Sequence, residues 1–138
     1  MINCASPAYL RAHGKPRSLV DLERHLLVHY SSALGSELPE FEYHDGARYQ
    51  VRIMRSIVTV NNADAFQAAC RAGLGIIQVP RIGVTQALAI GELVEILPKL
   101  RGQPLSVFLV HPHGRSVPRR VRVVLDWIES ILRPHLAT

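Results

Sequence analysis

Apolar residues recur along this chain with two periods, and the order in which those periods alternate predicts a mixed architecture. Ser6-Pro7 is an N-cap followed by proline at the first helical position, with Tyr9 and Leu10 inside and Gly14 as the stop, so a short helix is expected. Ser18 is placed to cap a second, turn-rich helix in which Leu19, Leu22 and Leu26 recur at three- and four-residue spacing. Asp21 lies in its first turn, where a negative charge suits the helix dipole. Residues 26–30 are an apolar run short enough for a strand, and 31–39 read as loop. Phe41, Tyr43, Tyr49, Val51 and Ile53 alternate with polar residues on either side of Asp45-Gly46, a dipeptide suited to the positive backbone angles of a tight hairpin turn.

From residue 57 the period changes twice. Residues 57–60 are β-branched, Asn61-Asn62 is a cap signal, and 63–72 place Phe66, Ala69 and Cys70 on one helical face before Gly73. A second apolar run, 75–79, closes at Pro80, giving 57–80 the form of a β-α-β unit with parallel strands and a right-handed crossover. Gly73-Leu74-Gly75 is two thirds of a dinucleotide fingerprint, but it follows a helix and precedes a strand, so it reads as a helix C-cap. A short helix over 83–90 closed by Gly91 and a strand over 93–97 closed by Pro98 follow. Residues 99–104 form a linker-like break. Beyond it stand one strand, 105–110, and one long helix after Ser116, with Pro118 in its first turn and Pro134 as its end. Val117, Val121, Val124, Leu125, Ile128, Ile131 and Leu132 are its apolar stripe. A lone strand and helix form no core of their own and must pack on other chain.

Composition narrows this picture. The 138 residues are 48% apolar and 20% charged, enough for a core and sufficient to exclude general disorder, while the length excludes repeat arrays and large barrels. Sixteen Lys and Arg against eleven Asp and Glu give +5, which favours an anionic partner without singling out nucleic acid. Cys4 and Cys70, the only cysteines, make neither a disulfide framework nor a metal-ligand spacing, and a reducing, cytoplasmic setting is expected, with both thiols in the core. No apolar run approaches the roughly 20 residues of a bilayer-spanning helix, so no membrane partner is expected.

Candidate chemistry concentrates at one junction. Asn61, Asn62, Ala63 and Asp64 join the C-terminal end of a predicted parallel strand to a helix N-terminus, where amide donors suit a carboxylate, sulfate or phosphate. The plainer alternative is that Asn62 caps its helix and Asp64 complements the dipole. His111-Pro112-His113 lacks a third ligand nearby, so no metal or other cofactor is expected, and His25 and His29 read as buried or pocket-lining. No nucleophile motif and no phosphate loop supports an enzyme. Arg115, Arg119, Arg120 and Arg122 at the start of the last helix read as a solvated face, because no aromatic platform interleaves with them.

One family matches the succession of segments. Ala5-Ser-Pro-Ala-Tyr-Leu-Arg-Ala-His-Gly-Lys-Pro16, Leu19-Val-Asp-Leu-Glu-Arg-His25, Val60-Asn-Asn-Ala-Asp-Ala-Phe-Gln-Ala-Ala-Cys-Arg-Ala-Gly-Leu-Gly-Ile76 with Val79-Pro80, Gly91-Glu-Leu-Val-Glu-Ile-Leu-Pro98 and Pro118-Arg-Arg-Val-Arg-Val-Val-Leu-Asp-Trp127 span nearly the whole chain. In this order they resemble the effector-binding region of LysR-type transcriptional regulators. The resemblance implies an α/β, periplasmic-binding-protein-like (type II) fold of two subdomains with a small-molecule cleft, behind a helix-turn-helix domain. It places 1–98 in the second effector-binding subdomain, 99–104 as linker and 105–134 as the returning strand and helix of the first. On this reading the chain is N-terminally truncated and reaches DNA only through a domain not present here. The expected function is effector sensing by a non-enzymatic regulator that binds a small metabolite; a small α/β enzyme or solute-binding module sharing the fold is the alternative. The expected effector half-site is His29, Tyr30 and Ser31 with Asn61, Asn62, Ala63, Asp64 and Pro80, and its ligand a small organic anion that Tyr30 stacks on. The apolar terminal segment, 104–134, is expected to pair with the same segment of another copy in a homo-oligomer, the alternative being that it folds back on the first hundred residues.

Overall fold

The computed structural model describes every residue except Leu34, Ser36, His113, Arg115, Ala137 and Thr138. The chain divides into two compact units, Met1–Pro104 and Leu105–Thr138. In the first, strands β1 (Ile2–Ala5), β6 (Ile77–Val79) and β7 (Val94–Ile96) form an antiparallel ladder in the order β6-β1-β7. β2 (His29–Tyr30) pairs in parallel with β5 (Thr59–Val60), in the register His29 with Thr59 and Tyr30 with Val60. Bridges from Leu26 to Arg55 and from Leu27 to Ile76, both parallel, extend this pairing on either side. The 26–31 segment thus runs between 55–60 and the 76–79 strand, bonded through Leu27 N to Arg55 O at 2.9 Å and Val28 N to Ile76 O at 2.9 Å. The two strands of the expected β-α-β unit are therefore parallel but not neighbours.

Alternation along these strands sends successive side chains to opposite faces, and over β1, β6 and residues 27–29 both faces are largely buried. Ile2, Cys4, Val28, Ile77 and Val79 meet Ala69 and Cys70 of α2 (Ala63–Arg71) and Ala87 of α3 (Thr85–Ala89). Ala5, Leu27, Ile76 and Ile96 meet Tyr9 of α1 (Pro7–His13) together with Leu22, Phe41 and Met54. Burial pushes the Cys4 and Cys70 thiols up to about 12, so both are inert core residues.

Local signals set the helix ends. Ser6 Oγ accepts from Tyr9 N at 3.2 Å, Pro7 opens α1, and Gly14 ends it at φ 80°. After α2, Gly73 at φ 82° lets its amide reach Cys70 O at 3.0 Å and the Leu74 amide reach Ala69 O at 3.1 Å, the paired bonds of a Schellman motif. The helix expected after Ser18 is instead a 3₁₀ helix, Val20–Arg24, and Leu26 has left it to join the sheet. Asp21 takes the amides of Arg17 at 2.9 Å and Ser18 at 3.0 Å, which holds its carboxyl below the usual range.

The hairpin forms from β3 (Glu40–His44) and β4 (Tyr49–Ile53), but Asp45 does not take the positive angle expected of it. Only Gly46 does, at φ 104°; Asp45 works through its carboxylate, which accepts from Ala47 N at 2.8 Å, Arg48 N at 2.9 Å and Gln50 Nε2 at 2.9 Å. The register sets Phe41 opposite Arg52 and Glu42 opposite Val51, so Phe41 is buried while Tyr49, Val51 and Ile53 point outward. A polar chain ties the hairpin down: buried Asn3 accepts from Gln78 Nε2 at 2.8 Å, and Gln78 pairs with both the amide and the carbonyl of Glu42, at 2.8 and 2.7 Å. Asn3 Nδ2 also donates to Leu97 O and Leu100 O, and Gln103 N reaches Glu42 Oε2 at 3.2 Å, so 99–103 are bonded to this unit.

In the second unit the expected strand is missing: residues 105–110 make no ladder among the described residues, and Phe108 is 78% exposed. A strand requires a partner, and none of the described segments offers one. α4 (Arg119–Leu136) forms as expected after Pro118, whose carbonyl takes the amides of Val121 and Arg122. Pro134 does not end it: the helix runs on to Leu136 although the proline offers no amide to the carbonyl four residues before it. Val121, Leu125, Ile128 and Leu132 are half-buried, whereas Val124 and Ile131 of the expected stripe are exposed together with Trp127.

One substitution tests the sheet order directly. A Cβ on Gly75 would lie 2.8 Å from Leu26 O and 3.0 Å from Val28 N. Gly75→Ala should therefore destabilise the chain by about 1–3 kcal/mol, read from urea unfolding, as forced overpacking does; an unchanged midpoint would contradict the strand order.

Candidate functional site

Parallel pairing brings the C-terminal ends of 26–31, 55–60 and 76–79 to one edge of the sheet. Open α/β sheets present ligands at such an edge. His29 N bonds Val58 O at 3.0 Å and Ser31 N bonds Val60 O at 2.9 Å, so the first strand stays in register up to the loop. His29 is buried, with Nδ1 3.3 Å from Thr59 Oγ1. Ser31 is fully buried and donates to Ala33 O at 2.9 Å, which fixes the turn rather than presenting the hydroxyl. Tyr30 is 46% exposed; its ring meets Phe66 of α2 edge-on, with centroids 5.5 Å apart. The ring of Tyr30 is thus braced by the helix that begins at the same edge.

Asn61, Asn62, Ala63 and Asp64 are all exposed at the start of α2. The cap alternative is realised: Asn62 Oδ1 accepts from Ala65 N at 2.9 Å. The amides of Ala63 and Asp64 lie in the first turn, where helix geometry supplies no acceptor, and no bond to them occurs among the described residues. Asp64 contributes negative charge beside them, which complements the dipole and opposes a bound anion. Pro80 ends β6 at the same edge and opens the 3₁₀ helix Arg81–Val84. The eight expected residues therefore share one sheet edge, some as exposed groups and some, His29 and Ser31, as its buried support.

Three features escaped the sequence. Arg81, directly after Pro80, is a cation at this edge, ion-paired with Glu95, whose other oxygen takes Arg101 at 2.9 Å. Phe66 was legible only as a core residue, not as the brace of Tyr30. Tyr9 and His25 form a buried pair, with Tyr9 Oη 3.1 Å from His25 Nδ1 and 2.7 Å from Leu26 N. Of the expected histidine pair, His113 lies outside the described residues, as does Arg115 of the arginine cluster, whose other members are exposed.

The sequence matches the family model described as LysR substrate binding domain over residues 1–133. An uncharacterized HTH-type transcriptional regulator, YhjC of Escherichia coli strain K12, is 41% identical over 136 residues, covering 99% of this chain and 46% of that protein. The HTH-type transcriptional activator AaeR of the same strain is 29% identical over 126 residues, covering 91% of this chain and 40% of that one. The chain spans about half the length of the curated relatives it matches. Among solved structures, the regulatory domain of AphB from Vibrio vulnificus is similar with a TM-score of 0.73 and 27% identity, over 94% of this chain and 63% of that one. The regulatory domain of CrgA from Neisseria meningitidis, at 23% identity, a TM-score of 0.69 and the same coverage, shares the fold. The architecture is thus the α/β, periplasmic-binding-protein-like fold expected from the sequence. No helix of the described residues is long and apolar enough to cross a membrane.

The cap itself is separable from ligand binding. Asn62→Ala should cost about 1 kcal/mol in urea unfolding through the loss of the Ala65 bond, while Asn62→Ser should restore most of it; equal losses in both would show that the cap is not what holds the start of α2.

Proposed function

Because the chain belongs to the LysR substrate-binding domain family, we propose that it is the effector-sensing part of a cytoplasmic, DNA-binding transcription regulator. Its effector is a small organic anion, received at the edge formed by Tyr30, Asn61, Asn62, Ala63, Asp64 and Pro80 and supported from beneath by His29 and Ser31. The observation that carries this reading is the convergence of three parallel strand ends with the unbonded first-turn amides of α2 and the half-exposed Tyr30 ring at one edge. Amides serve an anion here better than a lone charge would, since Asp64 stands beside them and the Arg81 guanidinium is engaged by Glu95. The role is binding rather than turnover, in keeping with the transcriptional regulators that the chain resembles.

In the regulator, residues 1–98 form the second effector-binding subdomain, and 105–134 supply the returning element of the first. DNA is contacted by a helix-turn-helix domain outside this chain, and the exposed arginines of α4 take no part in base reading. The regulator is a homo-oligomer, which the exposed apolar residues Phe108, Val110 and Trp127 favour, since apolar surface of this extent is costly in water. An effector that prefers one closure of the cleft shifts the balance of subdomain arrangements; tenfold preference corresponds to about 1.4 kcal/mol.

Calorimetric titration of the chain with a panel of small carboxylates, run beside a turnover assay on the same panel, tests the reading. Saturable binding without turnover is expected, weakened about tenfold by Tyr30→Ala, in line with the ~0.5–1.5 kcal/mol of an aromatic contact. Turnover that is lost on changing a single polar residue would overturn it in favour of an enzyme.

A further inference from the structure

Tyr9 and His25 are a buried, mutually bonded pair of titratable side chains, and Tyr9 is bonded in turn to the strand that carries the candidate site, which makes no use of them. Tyr9 is fully buried and His25 is 4% exposed. Leu26 N donates to Tyr9 Oη at 2.7 Å, and the same oxygen lies 3.1 Å from His25 Nδ1. With one lone pair of the phenol oxygen taken by the amide, its own proton is free to point at Nδ1. That proton finds its acceptor when Nδ1 is bare, which is the neutral imidazole with its hydrogen on Nε2.

We propose that Tyr9 and His25 form a proton-operated latch on the 26–31 strand, closed while His25 is neutral and released when it is protonated. A hydrogen on Nδ1 confronts the hydrogen of the phenol. The phenol must turn its proton away, and among the described residues its oxygen has no third partner. One buried group then goes unsatisfied, or the Leu26 amide lets go. Leu26 is the first residue of the segment to join the sheet, ahead of the bonds from Leu27, Val28, His29 and Ser31, so release there loosens the strand from its entry.

The surroundings set the direction. From α1, Tyr9 and His13 face the imidazole, and the His13 ring stacks on Tyr9 with centroids 4.4 Å apart. From the adjoining 3₁₀ helix come Asp21 and Arg24. Burial, then the His13 and Arg24 charges, disfavour the imidazolium, and Asp21 alone favours it; the balance holds His25 below its ordinary value. Tyr9 is shifted upward by burial and remains a phenol. A histidine depressed in the folded state contributes its full stabilisation above the unfolded value, about 6.5, and loses it as pH falls through the folded value. The latch therefore weakens on acidification. Its consequence for effector binding rests on the site reading above, but its operation does not, and the test uses no effector.

Amide hydrogen exchange of the ¹⁵N-labelled chain, corrected for the intrinsic pH dependence, reads the latch at Leu26. Between pH 7.5 and 5.5 the Leu26 amide should lose up to about tenfold in protection, one pH unit below the unfolded histidine value corresponding to one factor of ten. The Leu93 amide, bonded to Ala87 O at 3.2 Å on the far side of the unit, should keep its protection. His25→Gln should abolish the change at Leu26. No loss at Leu26, an equal loss in His25→Gln, or an equal loss at Leu93 would each overturn the proposal. Where His25→Gln proves too unstable to record, the imidazole of the unaltered chain decides by its own NMR titration: a midpoint below about 6.5 supports the latch, and one at or above that value overturns it.

Discussion

Backbone passes so close to Gly75 that no side chain fits there, and the candidate site exists because it does. Residues 26–28 run alongside 75–76, with Ile76 N bonded to Leu26 O at 2.8 Å and Val28 N to Ile76 O at 2.9 Å. This places the 26–31 strand between 55–60 and 76–79 and points all three the same way. Without that insertion, Tyr30 and Ser31 would not reach the edge at which α2 begins. The ring of Tyr30 would have no Phe66 to lean on, and His29 no Thr59.

The centre of the sheet so formed is buried on both faces, which demands that its polar groups be satisfied internally. Asn3 meets that demand at the centre of the ladder, donating to Leu97 O and Leu100 O and accepting from Gln78. Gln78 then extends the hydrogen bonding to the backbone of Glu42, so the hairpin is fastened by a side chain acting where a further strand would otherwise pair. Tyr9 serves the opposite end of the sheet in the same way, completing the bonding of Leu26. Both devices use buried or half-buried polar side chains to hold a segment distant in sequence.

What was legible in the sequence is what local chemistry decides. Ser6-Pro7 with Gly14, and Asn62 with Gly73, bound their helices because caps act within a few residues. The short strands were legible as apolar runs, yet their order was not: His29 pairs with Thr59 across thirty residues, and nothing in either run specifies its neighbour. Periodicity misled where burial is set by partners. β4 alternates correctly, but its apolar side faces outward because Phe41 and Tyr43 already fill the inner face, and 105–110 reads as a strand with no strand beside it. At the site, the α2 entry was visible as a cap and a donor edge at once. The Tyr30–Phe66 contact and the Tyr9–His25–Leu26 chain were not, since each joins residues whose proximity only the folded backbone creates.

The central claim is that the edge made by this strand order receives a small anion. Backbone amide shifts of the ¹⁵N-labelled chain, followed as benzoate and then succinate are added, test it most directly. The account predicts saturable shifts concentrated at 29–31, 61–64 and 80–81. Shifts concentrated instead at the opposite edge, around residues 2 and 55–57, or spread along α4 with none at 61–64, would contradict it.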